Sequence, residues 1–300
     1  CLILHRPLGR LGRVGYLLRG PLLRGEEGAT ELANDRVCGL LADAVDHLGL
    51  RFLVVAPAYS GETFARRARR AGFLPHPPEL PPRGMSRATL TVDLRAGPQA
   101  VEMSFRRSTR QEINRGRKEG VTVRRGGAAD LDRFWGEHLE LCRRRGVSSN
   151  IPSRRFLDTA WETMAQERRA RMFLAQAGAE DAGALICFVS GRTCYAWRIG
   201  WNGRHAAVHP TKVLYAEAIR HAAEEGCEAF DFLQIDPAVI AQLGRGEKPT
   251  DPDAGLTIFK LGFAGAVKPI PPTLVWFRHG LVRLAMRWGG LRLLPRFYRR

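Results

Sequence analysis

The chain has 300 residues, 45% of them hydrophobic, and a formal net charge of +17. That length and apolar fraction suit two globular domains with real cores and exclude a disordered or fibrous chain. No uncharged apolar run approaches the ~18–20 residues a membrane span needs, and no signal-peptide pattern is visible.

The charge is patched. Residues 106–125 carry eight Arg/Lys against Glu112 and Glu119, and residues 278–300 carry seven arginines and no acid. Such patches suit RNA, phosphorylated sugars or an anionic membrane face, or else reflect a preference for arginine on solvated surfaces. The six cysteines form no C-x-x-C pair, so they read as buried thiols of a reducing compartment. The histidines lack ligand spacing, and no metal is expected. The chain opens at Cys1 in mid-strand pattern, which predicts a missing N-terminal piece.

In chain order, residues 1–4 and 14–18 are apolar runs joined by a turn. Gly9, Gly12 and Gly15 mimic a phosphate fingerprint, but a strand and not a helix follows. Asn34 is the expected N-cap of a helix to about 47 with Leu41 and Val45 inward. A strand at 52–56, a basic helix at 61–71, a proline-rich connection at 75–82 and a strand at 89–94 complete an α/β series. Residues 98–119 predict one long basic helix with Phe105 and Ile113 inward, ended by Gly120 before a strand at 121–123.

A second α/β series follows. It has a helix at 129–144 with Leu131, Phe134, Trp135, Leu139 and Leu141 partly inward, and a helix capped by Ser153. Antiparallel strands are expected at 172–177, 184–189 and 193–199, then a helix at 212–225 and a strand at 229–235. Residues 255–263 read as a half-buried strand in which Lys260 alone interrupts the apolar run. A lysine there either snorkels at an edge or meets a developing negative charge. From 274 an amphipathic basic helix is expected, with Phe277, Leu281, Leu284, Ala285 and Trp288 on one face and Arg283 and Arg287 opposite. Two uses stay open for it: docking on its own protein, or lying on an anionic membrane.

Several of these residues carry a resemblance. Phe230-Asp231-Phe232, the loop with Asp251-Pro252-Asp253, and Phe259-Lys260-x-x-Phe263 follow one another as in the C-terminal signature of the Fem family, aminoacyl-tRNA-dependent transferases of cell-wall synthesis. Ser108-Thr109-Arg110, Ile113 and Arg117-Lys118-Glu119-Gly120-Val121 are similar to that family as well. The resemblance implies an α/β fold of two tandem GNAT-like (acyl-CoA N-acyltransferase-like) domains with mixed sheets. The expected boundaries are 1–125, 126–275 with the Phe-Lys motif, and a basic C-terminal helix over 276–300.

It also implies an aminoacyltransferase moving an amino acid from aminoacyl-tRNA to an amine of a lipid-linked or nucleotide-linked peptidoglycan precursor. Lys260 takes the oxyanion role and Phe259 shapes the site for the tRNA terminus. Asp231 orients the amine, holds Lys260 charged, or is a structural strand-end carboxylate; Asp236 is a weaker candidate. Arg198, Trp201 and Arg204 line the loop where the family binds the phosphates of its precursor, and Tyr215 falls where it has an aromatic on the following helix; surface or core placement is the alternative for each. No cofactor is expected, since ester to amide is downhill without one. A monomer in the cytoplasm, in peripheral contact with the inner face of an anionic membrane, completes the expectation. The alternatives are an acyl-CoA-dependent N-acyltransferase, a tRNA-dependent amide-forming enzyme of secondary metabolism, or a non-catalytic RNA- or membrane-binding relative. Residues 204–211 offer no glycine and include Pro210, which argues against the usual pyrophosphate loop of a CoA enzyme.

Overall fold

The computed structural model describes residues 2–7, 12–22, 30–58, 61–77, 88–251 and 254–287. They divide into two compact units, 88–268 and a discontinuous unit of 1–87 with 269–300.

The discontinuous unit starts with β1 (Leu4–Pro7) antiparallel to β2 (Arg13–Leu18). α1 (Glu31–His47) leads to β3 (Leu50–Ala56), which lies parallel to β2. α2 (Glu62–Arg70) and the short β4 (Leu74–Pro75) follow. The N-cap of α1 is Thr30, whose hydroxyl accepts the Ala33 N–H at 3.2 Å. Asn34, the expected cap, is instead buried one turn in, with its amide on the Thr30 carbonyl (2.7 Å). A threonine four residues earlier was the better oxygen because the helix starts sooner than its apolar stripe.

The second unit opens with β5 (Ala88–Asp93), α3 (Pro98–Ser104), α4 (Arg107–Lys118) and β6 (Val121–Gly126). α5 (Leu131–Arg144) and α6 (Arg154–Gln166) precede the meander β7 (Ala170–Ala177), β8 (Glu180–Ser190) and β9 (Thr193–Gly200). α7 (Pro210–Glu224), β10 (Ala229–Ile235), α8 (Pro237–Gly244), α9 (Ala254–Leu261) and β11 (Ala266–Pro269) close the series. The seven-stranded sheet runs β11-β5-β10-β9-β8-β7-β6. Strand alternation sorts its side chains onto two faces. Phe173, Leu185, Cys187, Phe230 and Phe232 meet residues of α3, α4 and α7 on one face. Met172, Leu174 and Ile186 meet α5 and α6 on the other.

The chain then returns to the first unit. β12 (Leu274–Phe277) slots between β3 and β4, giving the order β1-β2-β3-β12-β4, and α10 (Gly280–Arg287) follows. The helix expected from 274 is therefore a strand at its start: Val275 and Phe277 pair with Val54 and Phe52, and Phe277 is core. Of the expected face, Leu281, Leu284 and Ala285 are exposed on α10, and Trp288 lies outside the described residues. The boundary expected at 125/126 falls inside the second unit. β5 pairs with β10, β6 pairs with β7, and residues 88–126 belong to that sheet and its helices.

The predicted single helix 98–119 is two. Phe105 leaves helical conformation (φ −58°, ψ 151°), which sends its ring into the core against Phe263 (5.1 Å). The Arg106 N–H then donates to the Gly262 carbonyl at 2.9 Å. Arg117 ties the pieces together, reaching Glu102 on α3 (2.6 Å) and Glu217 on α7 (2.9 Å). α4 approaches α7 at Gly116, where an added Cβ would stand 2.6 Å from both the Val208 carbonyl oxygen and a Val213 methyl. Alanine gains about 1 kcal/mol of helix propensity there, but overpacking against backbone costs about 1–3 kcal/mol. Gly116→Ala is expected to lower stability by about 1–2 kcal/mol, measured as a lower urea midpoint at unchanged m.

Candidate active site

The strands β9 and β10 are paired in parallel only from Ala229↔Thr193 to Asp231↔Tyr195, although β9 continues to Gly200. At the point where they part, β10 bulges against β5. Asp231 faces Thr91 and Gln234 faces Thr89, so Phe232 and Leu233 together stand opposite Leu90. Leu233 sits at φ +61°, a conformation that costs a non-glycine residue about 1–2 kcal/mol.

Three buried polar side chains hold this bulge. Asp231 Oδ1 accepts the Leu233 N–H at 2.6 Å. The Thr89 hydroxyl lies within hydrogen-bonding reach of both Asp231 Oδ1 and the Leu233 carbonyl, 2.7 Å from the latter. Lys260 Nζ donates to the carbonyls of Phe232 (2.9 Å) and Gln234 (2.5 Å). Asp236, the weaker candidate, caps α8 through the Ala238 N–H (2.8 Å).

Lys260 arrives from a helix. The stretch 255–263, expected as a strand, lies mainly in α9, with Ala254, Thr257 and Lys260 buried at helical spacing and Leu256 and Ile258 exposed. A short apolar run does not distinguish the two periods. Thr257 fixes the helix to the end of β10 by accepting the Asp236 N–H at 3.2 Å. The lysine is only 7% exposed. Burial pulls its pKa from 10.5 down to about 8, the Asp231 charge opposing and Arg145 assisting. An ammonium has three N–H groups. Two meet carbonyls, leaving one to offer.

Around the lysine stands an aromatic cluster. Tyr215 stacks on Phe232 (5.1 Å) and meets Phe259 (5.4 Å) and Phe263 (5.9 Å). Tyr215 is a core side chain whose phenol pKa is pushed up by burial, and Phe259 is partly buried against the same core. Sequence reasoning missed the group beside them. Lys212, in the first turn of α7, reaches Glu112 (3.3 Å) and Thr109 (3.4 Å) on α4 and sits 4.6 Å above the Phe259 ring. Gly262 is required there, since a Cβ would meet Thr109 Oγ1 at 2.3 Å. Thr109, within the stretch similar to the Fem family, was the one available signal.

Arg198, Trp201 and Arg204 form a second group at the end of β9. Arg198 donates to the Trp197 carbonyl (2.7 Å) and covers its own neighbour's ring (5.0 Å), while its Nε is buried without a partner. Burial lowers its pKa. Trp201 donates its indole N–H to the Arg204 carbonyl (3.2 Å) beneath the Arg144 guanidinium (4.8 Å). Arg204 is exposed and pairs with Glu180 at 3.7 Å.

Alongside lie buried groups that the apolar reading of α5 overlooked: Leu139 is 41% exposed, whereas Glu137 and His138 point inward. His138 Nδ1 is 2.9 Å from the Ile199 carbonyl, so it carries the proton, and burial lowers the ring's pKa. Glu137 is 7% exposed, with Oε1 3.5 Å from Arg133 and Oε2 without a partner. Its pKa is raised from 4.5 to about 7, burial outweighing Arg133. No group of His, Cys, Asp and Glu among the described residues is placed to hold a metal ion.

The architecture is that of an acyltransferase. Residues 103–238 match the acetyltransferase (GNAT) domain family. The described chain shares its fold with the crystal structure of FemX: TM-score 0.76 at 13% identity, over 94% of this chain and 85% of that one. The C-terminal domain of a lysylphosphatidylglycerol synthetase described from Agrobacterium fabrum (0.57, 13%, covering 97% and 84%) and L-PGS from Bacillus licheniformis (0.58, 12%, covering 95% and 84%) share it more loosely. At these identities the likeness is one of fold, and the Fem resemblance holds at that level. No curated protein sequence matches the chain.

Two pH effects follow from the burial of charge. Lys260 binds its proton more weakly folded than unfolded, so stability rises with pH between about 8 and 10.5 and is lowest below 8. Lys260→Met should abolish that rise, which at about 1.4 kcal/mol per tenfold in proton affinity is about 3 kcal/mol; denaturant titrations at pH 7 and 10 measure it. Glu137 has the opposite sign. Its raised pKa gives stability that is present below 4.5 and lost as pH rises through about 7. Glu137→Gln should therefore stabilise the protein by about 1–3 kcal/mol above pH 7, with the gain vanishing near pH 4.

Proposed function

We propose that this chain is an aminoacyltransferase that moves an amino acid from aminoacyl-tRNA to an amine of a peptidoglycan precursor, lipid-linked or nucleotide-linked. The observation that carries the reading is the buried Lys260 ammonium, held by two bulge carbonyls with one N–H uncommitted, where β9 and β10 part. The fold shared with FemX supports it.

In this reading the acceptor nitrogen attacks the ester carbonyl, the bond to the ribose oxygen breaks, and the amine's proton ends on that oxygen. The free N–H of Lys260 faces the oxyanion of the tetrahedral intermediate, a contribution of about 3–4 kcal/mol. Asp231 and Thr89 position the lysine by fixing the bulge whose carbonyls it grips. Phe259 shapes the donor end of the site, and Arg198, Trp201, Arg204 and Tyr215 form or support the acceptor end. Arg106, Arg107, Arg115 and Lys118 are exposed on or next to α4 and suit tRNA phosphates, whereas Arg110 and Arg117 are committed to internal partners.

The GNAT match favours acyl-CoA as the second donor to consider. The start of α7 speaks against it. Pro210 has no N–H, and those of Lys212 and Val213 are donated to the His209 carbonyl (3.0 and 3.3 Å). A pyrophosphate finds few free amides there. The name of one structural neighbour, a lysylphosphatidylglycerol synthetase, describes a lysyl group joined to a lipid, which is compatible with a lipid-linked acceptor.

The test follows radiolabelled amino acid from charged tRNA into butanol-extractable precursor. RNase-sensitive transfer that drops about 10²–10³-fold in Lys260→Ala is the expected result. Transfer from acyl-CoA with none from any charged tRNA would replace the donor. Equal transfer by both proteins would remove Lys260 from the mechanism.

A further inference from the structure

We propose that Lys212 is a positioning residue for Lys260: from α7 it clamps α9 against α4, and so fixes where the Lys260 ammonium stands. The inference deepens the transferase reading above. It rests on that reading for its effect on rate, though not for its effect on Lys260 itself.

α9 is only eight residues long, and it is tied at both ends. Near its start, Thr257 accepts the Asp236 N–H (3.2 Å). Just past its end, the Arg106 N–H donates to the Gly262 carbonyl (2.9 Å). Lys212 occupies the room that glycine leaves, since a Cβ at Gly262 would stand 3.1 Å from its Nζ. Phe259 and Lys260 are consecutive in this helix, so what holds one ring orients the neighbouring lysine. The Phe259 ring meets Tyr215 (5.4 Å) and lies under the Lys212 ammonium (4.6 Å).

The contacts of Lys212 separate positioning from ligand binding. Glu112 (3.3 Å) and Thr109 (3.4 Å) engage two of its three N–H groups, leaving the Phe259 ring face for the third. Its side chain is only 13% exposed. Lys260, by contrast, keeps one N–H uncommitted. The two buried lysines therefore divide the work: one faces inward entirely, and the other has something to offer.

A buried ion pair adds little net stability, because desolvation offsets attraction, but it suits the fixing of one geometry. Lys260 depends on such a geometry. Its Nζ must stay on the carbonyls of Phe232 and Gln234, and a shift of about 1 Å is enough to spoil a catalytic alignment. The charges that act on Lys260 are those of Asp231 and Arg145, not that of Lys212. The influence of Lys212 thus runs through α9.

The test uses the full chain in three variants. Lys212→Met keeps the aliphatic stem and removes the charge, Lys212→Arg keeps the charge, and Glu112→Gln loosens the same clamp more gently. The first readout needs no substrate. In wild type the urea midpoint should rise between pH 7 and 10 as buried Lys260 sheds its proton. Lys212→Met should cut that rise to about half or less, since a shifted α9 lets water reach Lys260. Glu112→Gln should reduce it in the same direction, and Lys212→Arg should keep it. The second readout is transfer from charged tRNA, with kcat about 10–100-fold lower in Lys212→Met and KM little changed.

A midpoint lowered equally at both pH values would make Lys212 a stability residue and overturn the inference. So would a raised KM at intact kcat, which would make it a binding residue. Should Lys212→Met fail to fold, an undiminished rise in Glu112→Gln has the same force. A wild type that transfers nothing, with the rise still reduced in Lys212→Met, would sink the proposed function and leave the clamp standing.

Discussion

A buried ammonium between two backbone carbonyls is the constraint from which the second unit's chemistry follows. Lys260 cannot leave Phe232 O and Gln234 O without stranding both acceptors, and the bulge cannot flatten without taking those carbonyls away. Asp231 and Thr89 close the same loop of dependence from the other side through Leu233. The left-handed Leu233, unfavourable alone, is over-determined by its three polar neighbours. The buried cation and the strained strand end are thus one structural object.

This arrangement explains why the two residues singled out from sequence belong together, and why their roles differ from the simplest expectation. Asp231 meets the strand backbone directly and reaches Lys260 through its field. Burial weakens the lysine's hold on its proton while Asp231 restores part of it. The site therefore sits close to the point where a small change in surroundings decides whether the amine is a cation.

Much of the second unit was legible in the chain. The strands from 170 to 200 and from 229 to 235 are short apolar runs bounded by glycine-containing turns, and Ser153 caps α6 by accepting the Phe156 N–H as its position predicts. What stayed hidden was non-local. α9 was ambiguous because eight mostly apolar residues fit either period. The break at Phe105 is imposed by Phe263 and Gly262, more than 150 residues away. β12 looked helical because its distant partners β3 and β4 make it a strand. Glu137 and His138 escaped notice since a polar residue's burial is set by what the fold places opposite it, here Gly200 and Ile199.

The strand β12 has a further consequence, in the time order of synthesis. Leu53 waits for Trp276 across about 220 residues of chain, some 10–45 s at about 5–20 residues per second. During that interval the inner edge of β3 is unpaired while the intervening residues 88–268 are made. A bare, strongly apolar edge of this kind is an invitation to foreign strands. A nascent-chain binder that shelters β3 until the C-terminal segment emerges would therefore govern the yield of folded protein, independently of how stable the finished fold is.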